Sequence, residues 1–128
     1  MPSRSAFSYA VLRVVPDIER EEFVNAGLIL FARERQFLLA RTFHDEAALD
    51  ALQRGCDHAA IRRQLELIEE IAAGTATAVP FDGMSQSERF HWLTTPRSTV
   101  VQPGPIHAGT TDDPGATFEH LFGVLVRR

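Results

Sequence analysis

Phe7-Ser-Tyr-Ala-Val-Leu-Arg-Val-Val15, the break at Pro16-Asp17, and then Phe23-Val-Asn-Ala-Gly-Leu-Ile-Leu-Phe-Ala32 are the stretch whose reading decides the fold. The first run is rich in aromatic and β-branched residues and stops at a proline, which predicts a strand entering a turn. The second is almost unbroken in apolar residues, too short for an isolated core helix, and interrupted by Gly27. It predicts a central strand buried on both faces. The charged connection from Pro16 to Glu22 is expected in solvent. If it closes a hairpin with Val15 opposite Phe23, Arg13 falls opposite Asn25 and Val11 opposite Gly27.

Outward from this ribbon, Arg33-Glu34-Arg35 supplies a polar turn, and Gln36 to Arg41, built around Phe37-Leu38-Leu39, predicts a third antiparallel strand. At Asp45 the period changes. Ala48, Leu49 and Leu52 recur at helical spacing, with Gly55 expected to close that short helix in a left-handed cap. Asp57 is the expected N-cap of the longest helix, His58 to Ala73, whose stripe is Ile61, Leu65, Ile68 and Ala72, and Gly74 closes it. Thr75 to Met84 has no period and is expected to cross the core through Phe81. Ser85 or Ser87 caps a helix running through Trp92, Pro96 stops it, and Ser98 to Gln102 makes a fourth strand. Pro103-Gly104-Pro105 prevents that strand from continuing as an ordinary ladder member. Asp112 or Asp113 before Pro114 opens a final helix carrying Phe118, Leu121, Phe122 and Leu125, with Arg127 and Arg128 complementing its dipole. The expectation is one α+β domain over residues 1–128, a mainly antiparallel sheet of about four strands packed with about four helices.

Composition narrows the function classes. With 45% hydrophobic residues in 128, the chain can bury a continuous core unaided by disulfides or metal staples. A net charge of -4, with its basic residues interleaved among acids, argues against a nucleic-acid binder. Every basic residue is arginine, which coding bias explains more simply than selection for planar contacts. Cys56 is the only cysteine, so no intrachain disulfide forms. Neither a signal peptide nor an apolar run long enough to span a membrane is seen, which together with the lone thiol gives a cytoplasmic expectation. No cofactor motif is recognised.

Tyr9-Ala-Val-Leu-Arg13, Pro16-Asp17, Glu22-Phe-Val-Asn-Ala-Gly27, Ser87-Glu-Arg-Phe-His-Trp92, Pro96-Arg97-Ser98, Gln102-Pro103 and His107 follow one another in an order that resembles a bacterial family catalogued as domain of unknown function three-zero-three-seven. The resemblance spans nearly the whole length. It implies a stand-alone bacterial protein and a possible kinase-like protein partner, similar to the toxin kinases of toxin-antitoxin pairs. It implies no activity.

Two polar groups interrupt the apolar hairpin. Arg13 and Asn25 read either as a pair reaching a carboxylate, carbonyls or a bound anion at the sheet surface, or as a solvated arginine beside an asparagine bonding local backbone. Arg97, Ser98, Thr99 and His107 read as an anion-binding group of fork, hydroxyls and imidazole, or as ordinary strand-start and turn residues. The functional reading requires the sheet to carry Arg13 and Arg97 to a common polar hollow. Asp112 and Asp113 could orient His107 or bind a metal, although capping explains at least one more cheaply. His44-Asp45 has half of a metal-site pattern without a convincing second ligand set, so no metal is expected. Cys56-Asp57-His58 brings a thiol near an imidazole, but a structural cysteine is the simpler reading. Arg89 and Trp92 are residue types enriched at interface hot spots and are candidates for a partner surface, against core packing. An interaction or accessory module is therefore expected. The alternative is a small enzyme or binding protein for an anionic phosphate or carboxylate ligand, with Arg13, Arg97 and Ser98 holding the anion and His107 as acid or base.

Overall fold

β1 (Ser5–Val14) is the strand on which everything else is hung. A computed structural model describes residues 3–78 and 80–127. β1 pairs antiparallel with β2 (Val24–Ala32) on one side, and β2 with β3 (Phe37–Thr42) after a 3-10 turn over Arg33–Arg35. On its other side β1 takes two short strands in succession, β4 (Val101–Pro103) and β5 (His107–Thr111). The result is a five-stranded antiparallel sheet with α1 (Glu46–Leu52), α2 (His58–Ala73), α3 (Gln86–Thr94) and α4 (Pro114–Leu125), an α+β architecture.

The expected hairpin register holds at Arg13↔Asn25 and then shifts. Leu12 pairs with Gly27 and Val11 with Leu28, not Gly27, because Ala26 is an extra residue that bulges β2. The bulge lets Ala26 join Val14, Leu49, Ile61, Leu65 and Val101 in a core cluster beneath α1 and α2. Gly27 is required there: a Cβ would stand 2.9 Å from the Arg41 carbonyl and 3.0 Å from a Leu12 methyl.

The fourth strand begins later than expected. Thr99 Oγ1 donates to the Val101 carbonyl at 2.6 Å and Gln102 Nε2 to the Thr99 carbonyl at 2.7 Å, so Ser98 and Thr99 belong to a turn. Beyond it Gly104 N–H still donates to Val11 O at 2.7 Å, and β5 resumes the ladder one residue out of phase. Its sequence, His-Ala-Gly-Thr-Thr, lacks the apolar alternation of a half-buried strand because it forms an exposed edge.

Helices cover both sheet faces. α2 and α3 pack Ile71, Ala72, Phe90 and Leu93 against Leu12, Ile29 and Ala40, with Phe81 over the same cluster as expected. On the opposite face α4 sets Phe118 and Phe122 against Phe7, Leu28, Leu30 and Ala32. The helix limits follow their caps: Asp45, Asp57, Ser85 and Asp113 each accept a backbone N–H inside their helix, and Ser85 with Glu88 completes a capping box. Gly74 caps α2, but α1 ends at Gln53, leaving Gly55 in the turn beyond it. α3 runs past Trp92 to Thr94. Val79 in the connection before α3, and Arg128 of the expected terminal pair, lie outside the described residues.

Candidate functional site

α4 covers only part of its sheet face. Where it ends, a cross-strand row of Asn25, Arg13 and Gln102 faces outward from β2, β1 and β4. Asn25 Nδ2 donates to the Leu125 carbonyl at 3.0 Å and so ties down the last turn of α4. That contact satisfies one orphan carbonyl of the helix end. It also leaves Arg13 and Asn25 as neighbours without a hydrogen bond between them.

Arg13 is half-buried and lies over Phe23, its Cζ 4.1 Å from the ring centroid. Its Nε is buried and has no hydrogen-bond partner among the described residues. A buried donor left unfilled costs about 1–3 kcal/mol, and a cation over an aromatic face returns about 0.5–2 kcal/mol. The arrangement therefore breaks about even while it keeps one donor unused. Gly104 permits it, because a Cβ there would come within 2.7 Å of Arg13 Nη2.

The guanidinium opens on a hollow of about 380 Å³ lined by Arg13, Val15, Ile18, Glu21, Phe23, Ser98 and Gln102. Of the group expected from the sequence, Arg13 and Ser98 meet here. Arg97 does not line it: its Nη2 donates to the Trp92 carbonyl at 2.6 Å, its Nε to the Thr95 carbonyl at 3.3 Å, and its Cζ stands over the Trp92 ring, 4.5 Å from the centroid. A cation at the C-terminal carbonyls of α3 answers the helix dipole. Thr99 bonds its own turn, and His107 sits on Tyr9 with centroids 5.2 Å apart, four residues up β1 and about 13 Å away at strand rise. Trp92 is half-buried, edge-on to Phe81 at 4.7 Å, and Arg89 Nη1 donates to the Met84 carbonyl at 2.6 Å, so both serve the packing of α3.

Sequence reasoning missed Ile18, Glu21, Phe23 and Gln102. Ile18 and Phe23 are each 44% exposed although large and apolar, and Glu21 holds a positive φ of 58°. Ile18 was legible as a lone apolar residue in a charged connection; the Glu21 backbone was not. A second depression of about 500 Å³ shares Phe23 and continues past Asn25 to Phe43, which is 39% exposed, and Arg127.

A sequence profile described as Protein of unknown function (DUF3037) matches residues 9–126. The chain belongs to this family. No curated protein and no solved structure matches it. The matched residues of this DUF3037 chain include the whole lining of the Arg13 hollow.

Elsewhere in the DUF3037 chain, the Cys56 thiol donates to the Gln53 carbonyl at 3.0 Å, and burial, then Asp50, pushes its pKa above the ordinary thiol value. A raised pKa disfavours the thiolate a nucleophile needs. No helix among the described residues is long and apolar enough to cross a membrane.

Proposed function

We propose that this chain is an interaction or accessory module that docks a partner protein on the open half of its sheet. The observation that carries this is Arg13, whose buried Nε has no partner among the described residues and whose guanidinium lies over an exposed phenylalanine. A planar fork against an aromatic face, rimmed by Ile18, suits a carboxylate side chain presented beside an apolar one. Ser98 and Glu21, the one hydroxyl and one carboxylate of the lining, share no hydrogen bond among the described residues, which supports binding in preference to nucleophilic catalysis by an activated serine. A kinase-like protein is the partner implied by the family resemblance. The test is calorimetric titration of a kinase-like protein from the same bacterium into the wild type and into Arg13→Met, Phe23→Ser and Arg97→Met. Loss of binding by at least tenfold in the first two with retention in the third supports the reading. Binding indifferent to Arg13, or no binding by the wild type, refutes it.

The size of the hollow favours one second reading. At about 380 Å³ it is within the range of small-molecule sites, and Arg13, Ser98 and Gln102 could hold a carboxylate or phosphate. A metabolite retained through native mass spectrometry and lost in Arg13→Met would select this reading over the protein partner.

A further inference from the structure

We propose that His44, Glu46 and His58 form a binding site for one divalent transition-metal ion, zinc by preference. One donor atom from each lies within 4.8 Å of the others. The three residues come from the starts of two helices. His44 directly precedes the Asp45 cap, Glu46 is the first residue of α1, and His58 the first of α2.

The hydrogen bonds decide which ring atoms are available. His58 Nε2 stands 2.7 Å from Asp50 Oδ1; the carboxylate accepts, so this nitrogen carries a proton and in the neutral ring Nδ1 is a bare lone pair. That lone pair faces His44 Nε2 at 2.8 Å, the rings nearly perpendicular at 68°. The space between the two nitrogens is filled either by a proton from His44 or by a cation that both ligate. Glu46 Oε1 is 4.0 Å from the same His44 nitrogen, an anionic third donor that an imidazole pair has no need of. Arg62 Nη2 donates to that Oε1 at 2.9 Å and so orients the carboxylate.

The chemistry of the set selects the ion. Two imidazoles and one carboxylate suit zinc and its first-row neighbours, whereas magnesium and calcium want oxygen alone. A carboxylate bonded to the far nitrogen of a ligating histidine is the recurrent support of such sites, here supplied by Asp50. Three protein donors leave one position of a tetrahedral ion for a water or an incoming group. The side chains of His44 and His58 are 10% and 21% exposed while that of Glu46 is 53% exposed, so the site opens toward solvent on the Glu46 side. The sequence showed only His44 as half of such a pattern, because His58 lies 14 residues further on, across the whole of α1, in no familiar spacing.

The experiment is titration of the chelator-treated full chain with zinc, followed by calorimetry and thermal melting, and with cobalt, followed by its visible absorption. One ion per chain, a raised melting temperature and a four-coordinate cobalt spectrum are expected. Glu46→Gln and His58→Asn should weaken binding at least tenfold, and Asp50→Asn about 10–100-fold. Circular dichroism checks that each variant is folded; Glu46 and Asp50 are surface side chains whose replacement spares the core. Cys56→Ser, His107→Asn and Arg13→Met should bind as the wild type does. Binding by the wild type no tighter than by the Glu46→Gln/His58→Asn double variant, or loss of binding in Cys56→Ser, would overturn the assignment. None of His44, Glu46, Asp50 and His58 lines the Arg13 hollow, so the metal result stands apart from the docking reading.

Discussion

Arg13 and Arg41 stand on one face of one sheet, yet α4 reaches only one of them. Arg41 on β3 is gripped by both Glu119 oxygens, at 2.7 and 2.9 Å, and lies over Phe118 and Phe122. Arg13 on β1, past the end of α4, has an aromatic face under it and, among the described residues, no carboxylate in ion-pair contact. The same side chain is thus a finished contact under the helix and an unfinished one beyond it. The covered half is built for stability, and the open half keeps binding capacity that the fold does not use.

The largest effect that would sharpen this contrast is expected in the covered half. Phe118 is fully buried, and Phe118→Ala should cost about 3–5 kcal/mol in urea unfolding. Phe23→Ser, at an exposed ring in the open half, should cost no more than about 2 kcal/mol, its stake in the arginine contact. Equal costs for the two would break the comparison.

Next in size is Gly27→Ala. A methyl group there meets the Arg41 carbonyl at 2.9 Å, backbone that cannot turn aside, so about 1–3 kcal/mol should be lost. Arg13→Met should change stability by less than about 1 kcal/mol, because the lost cation contact is offset by removal of an unfilled buried donor. Its consequence should appear in partner binding alone, and a large drop in the urea midpoint would show that Arg13 is structural after all.

The smallest effect is a pH dependence. Hydrogen bonds from Arg41 hold the Glu119 carboxyl below its ordinary value of 4.5. A depressed carboxylate stabilises the fold above its unfolded pKa and loses that contribution as the pH falls through the folded one. Glu119→Gln should therefore match the wild type at the acid end and fall slightly behind it above about pH 4.5, a small gap since the pair is exposed.

How far the sequence could be read depended on where the information sat. β1, β2 and the four helices were legible because apolar period and caps are local: Asp57 and Gly74 bound α2 as expected, and Pro114 opens α4. β5 was not, since an exposed edge strand carries no alternation. The bulge was half legible: Gly27 inside a strand signals a bulge or a close backbone approach, but that Ala26 is the extra residue is set by packing under α1 and not by residue type. Arg13 opposite Asn25 could be placed by counting through the hairpin. The destination of Arg97 could not, because three carbonyl and ring contacts within five residues captured it before it could reach β1.

Gly104 turns its N–H inward to Val11, so positions 103 and 105, alternating with it, point away from the sheet. Both are proline, and this rim therefore offers an incoming backbone no amide hydrogen where a ladder would start. A visiting strand finds nothing there to zip onto, neither another copy of this chain nor a stray peptide. Whatever associates at this point of the rim must do so through side chains or carbonyls, whereas β5 beyond it keeps the outward amides of an exposed edge.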